Sequence, residues 1–340
     1  MKKKVLFCGA LVLLGSLWLS GCGARSPESL QCVDTAMGTV ITQQIYMTEP
    51  DEAVAEEIIA VIDELENSTL SWRIDSSDLA RVNRAAGDLE GNPLSPRLEA
   101  LLHKCQEVSK DSGGAFDITI GEVARLWDID RWAAGEGSGD YQLPKKERIR
   151  ELLADAGYAK LRLSDHRLYL PQGMSLDMGA IGKGAALDEI LALMEENEQI
   201  TGAVISVGGS VLTYGEKPDG SAWSVGIADP ADTSHMVGTL SLTGQWCIST
   251  SGDYERYVEV DGVRYHHIID PTTGYPADSG VSSVTILAKD GALSDALSTA
   301  CFILGEEKGL LLAKRYGVEA LFVDKVGNIS MTEGMKLYFR

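Results

Sequence analysis

The chain has 340 residues, of which 44% are hydrophobic and 24% charged, and its formal net charge is −20. That is long enough for one large domain or two small ones. An acidic body repels nucleic acid and anionic lipid headgroups, so neither is expected to bind its surface.

The first residues read as a targeting segment and not as part of the fold. Lys2, Lys3 and Lys4 precede an apolar run from Val5 to Leu19. This run is shorter than the roughly 20 residues a spanning helix needs, which favours a secretory signal over residues 1–21. Leu19-Ser20-Gly21-Cys22 resembles a bacterial lipobox, in which the cysteine is lipidated and becomes the first mature residue. Cys22 is therefore the expected lipid site, residues 22–32 a lipidated start and polar tether, and residues 33–340 the folded domain. The location this implies is the extracytoplasmic face of a bacterial membrane, with the lipid as the only membrane contact. Loss of 1–21 removes three lysines and no acids, taking the charge from −20 to −23. Cys32, Cys105, Cys247 and Cys301 are widely spaced, with no C-x-x-C pair, so neither a disulfide framework nor a zinc site is expected.

Along the body, Val54, Ile58, Ile62 and Leu65 recur at helical spacing within Asp51–Glu66. Ser95-Pro96 starts a second helix that ends before Gly113-Gly114. Lys145–Ala156 and Ala180–Asn197 are the third and fourth. From Ala203 the pattern changes to short β-type runs: Ala203–Val207, Trp223–Ala228, Val237–Leu242, Tyr257–Val260, Val263–Ile269 and Val281–Leu287. Asp261-Gly262 between two of them is a hairpin signal. Helices follow at Leu293–Leu304 and Lys308–Tyr316, then strands at Ala320–Val323 and Lys336–Phe339. Helices and strands are grouped more than alternated, which predicts an α+β fold in one compact, two-lobed unit with a largely antiparallel sheet.

Six stretches have the residue types for chemistry. His267-Ile-Ile-Asp270-Pro271-Thr272-Thr273-Gly274 puts an imidazole, a carboxylate and hydroxyls at a strand end; it is either a polar site or a turn closing a hairpin. In Phe116-Asp117-Ile118-Thr119, Asp117 is a turn former or a ligand contact. Asp177-Met178-Gly179-Ala180-Ile181-Gly182-Lys183-Gly184 enters a helix with glycines and a lysine. It suits an anion cradle or close helix packing, and it matches neither a Walker loop nor a dinucleotide fingerprint. Val207-Gly208-Gly209 is a bulge or a wall against a flat ligand, and Ser249–Tyr254 reads as a hydroxyl-rich turn that lines a polar pocket or only bonds to its own backbone. Asp295 and Thr299 share one helix face; they are either hard oxygen ligands that favour Mg²⁺ over zinc or a first-turn acid and a filler.

Taken in order, these stretches together with Met37-Gly38-Thr39 resemble the ApbE family of FAD:protein FMN transferases, from about residue 33 almost to the C-terminus. The resemblance implies Mg²⁺-dependent cleavage of FAD at its pyrophosphate. FMN is attached to a threonine or serine hydroxyl of a target flavoprotein and AMP is released. Some members resemble FAD pyrophosphatases instead, and a lipid-anchored flavin binder without catalysis is a further alternative. By resemblance, Asp295, Thr299 and the Ala180 carbonyl hold the metal and Lys183 lies near the phosphates. Met37, Trp72, Ala115, Phe116, Asp117, Asp177 and Ile269 match positions that contact FAD, Trp72 standing where tyrosine is common in the family. His267 is the candidate proton acceptor, its ordinary pKa lying near neutrality, and Asp270 a group that orients it or shares the role.

Overall fold

The computed structural model describes residues 29–340. The signal segment and Cys22 lie outside the described residues.

The chain opens with a hairpin, β1 (Ser29–Ala36) and β2 (Thr39–Met47), turning at Met37 and Gly38, whose φ values are 50° and 67°. β1 already occupies Ser29–Cys32, residues assigned from sequence to the tether. The long helix α1 (Ala53–Leu65) continues through a π turn, and α2 (Asp78–Arg84), the short β3 (Asn92–Pro93) and α3 (Pro96–Asp111) follow. Ser95 caps α3 by accepting from Leu98 N–H, as its sequence signature predicts. Next come α4 (Gly121–Trp127), α5 (Ile129–Ala133), α6 (Lys146–Asp155), and β4 (Arg162–Ser164) with β5 (Arg167–Tyr169). The helix α7 (Gly182–Glu196) leads into β6 (Ile200–Val207) and β7 (Ser210–Gly215). A long arm follows, β8 (Trp223–Asp229) and β9 (Asp232–Leu242), then β10 (Trp246–Gly252). Another hairpin, β11 (Tyr257–Val260) and β12 (Val263–His266), turns at Asp261-Gly262. β13 (Val281–Ala288), α8 (Gly291–Tyr316), β14 (Glu319–Asp324) and β15 (Ile329–Met331) complete the chain.

Eight strands form one sheet in the order β1-β2-β6-β7-β10-β13-β14-β15, every neighbouring pair antiparallel. The α+β expectation therefore holds. One face carries α1, α7 and α8 over a core that includes Ile41, Ile58, Leu187, Ile205, Val284 and Phe302. The other face is covered by the β8–β9 arm and the C-terminal residues, through Trp223, Val225, Leu240, Leu242 and Met335 against Ile248, Leu287 and Leu321. A third apolar cluster joins Trp127 and Ile129 to Ile149, Val258 and Ile269.

Four predicted elements differ. Lys336–Phe339 is not a strand: a 3₁₀ turn spans Met335–Leu337 and only Phe339 bridges to Leu240. Tyr338 and Phe339 both pack on the same cluster, and adjacent residues cannot share a face in a strand. Ser249–Gly252 is not a turn but the end of β10, in mid-sheet. Its buried hydroxyls are paired with helix hydroxyls, Ser249 with Ser294 at 2.7 Å and Ser251 with Ser298 at 2.8 Å. α7 starts at Gly182, two residues late, because Ile181 has a non-helical φ of −139°. The strand expected to run to Ile269 ends at His266. The two helices predicted after residue 292 are present, separated at Gly305, whose φ is 77°.

α7 and α8 touch through glycines. A Cβ on Gly184 would lie 2.0 Å from the Gly291 carbonyl oxygen and 2.7 Å from Asp295 Cβ. Gly184 thus meets the packing alternative for that glycine run. Gly184→Ala must push the two helices apart, an overpacking cost of about 3 kcal/mol. Urea unfolding should show that loss, and unchanged stability would mean the contact is looser than described.

Candidate active site

One cleft of about 1150 Å³ opens at one end of the large sheet. The β1–β2 turn (Met37–Thr39), the β6–β7 turn (Gly208, Gly209) and the end of β10 (Thr250, Ser251) form its floor. The start of α7 and the first turns of α8 form one wall; the Ala115–Ile120 segment, α4 and the loop after β12 form the other. Met37, Trp72, Ala115, Phe116, Asp117, Asp177, Ala180, Lys183, His267, Ile269, Asp295 and Thr299 all line it. Residues as far apart in sequence as Met37 and Thr299, 262 positions, therefore meet in one space.

Asp270 does not line the cleft. Its Oδ1 accepts from Thr272 N–H at 2.8 Å and its carbonyl from Gly274 N–H at 2.8 Å, so it shapes the Asp-Pro turn. Asp117 is also structurally committed. Oδ1 accepts from Thr119 N–H (2.8 Å) and Thr119 Oγ1 (2.7 Å), and Oδ2 from Tyr158 N–H (2.9 Å).

His267 sits at the exit of β12 with Nδ1 3.2 Å from the Arg256 carbonyl oxygen. A carbonyl only accepts, so Nδ1 carries the proton and Nε2 keeps its lone pair. Burial holds the imidazole well below its ordinary pKa of 6.5, and the charges of Arg256 and Lys183 push the same way. The ring is a neutral base at pH 7.

Lys183 stands at the second residue of α7, where backbone N–H groups lack intrahelical acceptors. Gly184 N–H, one of these, donates to Asp295 Oδ2 at 3.0 Å. Asp295 is 3% exposed, and its Oδ1 has no hydrogen-bond partner among the described residues. Thr299, one turn on, lies 3.3 Å from Ser251 Oγ. No group of three His, Cys, Asp or Glu side chains that could hold a metal occurs among the described residues. One carboxylate, a hydroxyl and a carbonyl nonetheless suit Mg²⁺, which keeps several waters and takes substrate phosphates as ligands.

Several lining residues escaped sequence reading. Arg73 and Arg125 lie over the Trp72 ring, 4.2 and 4.7 Å from its centroid. Trp127 is buried and donates from Nε1 to the Gly274 carbonyl at 2.7 Å. Arg256 pairs with Asp130 at 2.8 Å. Glu255 lines the cleft where a Cβ on Gly209 would come within 2.8 Å of its Oε1. Burial raises the Glu255 pKa, opposed by Lys183 and Arg256 and reinforced by Asp295. Asp177 is also raised, chiefly by burial, against the Gly179 N–H that donates to it. Single charged residues such as Arg73, Arg125 and Arg256 carry no local pattern that marks them as site residues.

The geometry agrees with the chain's similarities. The ApbE family model matches residues 37–322. The FAD:protein FMN transferase of Treponema pallidum is 34% identical over 326 residues, covering 90% of this chain and 87% of that protein. The protein of the same name from Klebsiella pneumoniae is 34% identical, covering 89% and 92%. A solved ApbE protein from Thermotoga maritima superposes with a TM-score of 0.83 at 31% identity, over 92% of this chain and all of that one. The chain belongs to the ApbE family.

The His267 environment sets a measurable expectation. Its imidazole should stay neutral from pH 6.5 upward and protonate only well below, as NMR titration of the ring would show. A midpoint at or above 6.5 would contradict the buried, cation-flanked setting.

Proposed function

We propose that the chain is a Mg²⁺-dependent FAD:protein FMN transferase. It splits FAD at the pyrophosphate, joins FMN to a threonine or serine hydroxyl of a target flavoprotein, and releases AMP. The reading is supported most by charge. Seven carboxylates line the cleft (Glu66, Asp117, Asp128, Asp130, Asp177, Glu255 and Asp295) against four cations (Arg73, Arg125, Lys183 and Arg256). A diphosphate entering such a cleft needs a further positive charge. Asp295, Thr299 and the Ala180 carbonyl would hold a Mg²⁺ ion, which supplies that charge at the pyrophosphate.

The protein's own groups account for the rest. Lys183 and the free N–H groups at the start of α7 bind phosphate oxygens. His267 Nε2 takes the proton of the acceptor hydroxyl as its oxygen attacks the phosphorus of the FMN half. The phosphorus–oxygen bond to the AMP phosphate breaks, and AMP leaves with the electron pair. Trp72, with Arg73 and Arg125 against its ring, brings an aromatic edge and two cations to the part of the cleft that would take FAD. A lipid on Cys22 would tether the enzyme to the outer face of a membrane, where fatty-acid labelling lost in Cys22→Ala would check it.

The direct test mixes the protein with FAD, Mg²⁺ and a candidate acceptor domain and weighs the acceptor by intact mass spectrometry. The expected result is one FMN gained per acceptor with AMP released, abolished by EDTA. Free FMN and AMP beside an acceptor that a related transferase does label would indicate a pyrophosphatase. Intact FAD under the same conditions would indicate a flavin binder.

A further inference from the structure

Seven Ser and Thr residues line the cleft, and six of them are half-buried or buried. Most are engaged. Ser206 donates to the Gly208 carbonyl (3.0 Å), Thr250 pairs with Thr285 (2.8 Å), and Ser251 with Ser298 (2.8 Å). Thr39 Oγ1 has no hydrogen-bond partner among the described residues, but Thr39 is half-buried against Gly208, where a Cβ would approach its Oγ1 to 2.6 Å. Thr233 differs in being exposed, and its hydroxyl too has no hydrogen-bond partner among the described residues. The neighbouring Ser234 hydroxyl is tied to Asp232 Oδ1 at 2.7 Å.

Thr233 lies just past the turn of the β8–β9 arm. Gly226, Ile227 and Ala228 of the same arm also line the cleft, so the arm runs along the cleft wall to its tip. The base of the arm is fixed by burial of Trp223, Val225, Leu240 and Leu242 on the sheet. The tip is not: Ala231 through Met236 are all exposed. The β8–β9 register shifts at Ile227/Ala228 and again at Ala228/Asp229. Such irregularities bend a ribbon and re-aim its side chains. Few buried contacts at the tip leave it the part of the site most able to move locally.

We infer that Thr233 is a self-acceptor: in the absence of a target protein, the chain transfers FMN from FAD to its own Thr233 hydroxyl. The inference rests on the transferase reading and extends it to a modification site on this chain. The step balances without oxidant or reductant. A bond forms between Thr233 Oγ1 and the phosphorus of the FMN half, and the phosphorus–oxygen bond to the AMP phosphate breaks. AMP takes the electron pair, and the hydroxyl proton passes to His267 Nε2. Donor site and acceptor share one chain, so the reaction is intramolecular, its rate per chain independent of protein concentration.

The test incubates the full-length protein in detergent with FAD and Mg²⁺ and no target, then weighs it intact and maps the modified peptide. A second tube also contains an acceptor domain that the Klebsiella pneumoniae FAD:protein FMN transferase labels. The expected result is one FMN per chain on the peptide bearing Thr233, with a rate unchanged on dilution. Thr233→Val should lower self-labelling by about tenfold or more while the variant still labels the added acceptor, which shows an intact site. An unmodified chain in a tube where the acceptor is labelled would overturn the inference and leave the transferase reading standing. So would label on another residue, label that persists in Thr233→Val, or a rate per chain that rises with concentration. If chain and acceptor both stay unlabelled while the Klebsiella pneumoniae enzyme labels that acceptor, the transferase reading fails and the self-acceptor with it.

Discussion

The site depends on the contact between α7 and α8. Two glycines let the helix backbones meet: a Cβ on Gly291 would sit 2.3 Å from the Gly184 carbonyl oxygen, and one on Gly184 2.0 Å from that of Gly291. Asp188 on α7 accepts from Gly291 and Ala292 N–H at 2.5 and 2.9 Å, and Asp295 on α8 accepts from Gly184 N–H. Each helix thus satisfies orphan donors at the start of the other. The consequence reaches the chemistry, because the same contact sets Lys183 and the Asp295 carboxylate on one wall of the cleft.

The sheet fixes that wall in turn. α8 packs on β10 and β13, and the Ser249–Ser294 and Ser251–Ser298 pairs set its position along the strands. Buried hydroxyls paired in this way are costly to leave unmade, so they specify one alignment of helix and strand. The opposite wall is built differently. Trp127, packed with Tyr265 and Tyr275 at centroid distances of 5.7 and 5.6 Å, anchors the segments around His267. His267 itself hangs from the Arg256 backbone, and the Arg256 side chain pairs with Asp130 at 2.8 Å.

Much of this was legible in one dimension where the local pattern and the tertiary structure agree. Val54, Ile58, Ile62 and Leu65 are all buried, as helical spacing requires, and Asp261-Gly262 turns with φ values of 52° and 75°. The pattern failed where polar residues occupy core positions. In β2, Gln43 is 3% exposed and donates to the Ala55 carbonyl, which interrupts the apolar alternation. In β10 two of the buried positions are serines, Ser249 and Ser251, whose partners lie more than forty residues away. Site residues carried on glycine-rich or helix-entry motifs could be picked out. Glu255, Arg125 and Arg256 could not, because only the folded chain brings them to the cleft. Asp270 was misjudged for the opposite reason: its local turn chemistry uses the carboxylate that a catalytic role would need.

The central claim is that the α7 start is built to receive a pyrophosphate. Calorimetry of FAD and of riboflavin on the wild-type protein and on Lys183→Met, with Mg²⁺ present throughout, tests it most directly. The account predicts that the substitution weakens FAD binding by about tenfold or more and leaves riboflavin, which has no phosphate, unchanged. Equal weakening of both ligands, or none of either, would contradict it.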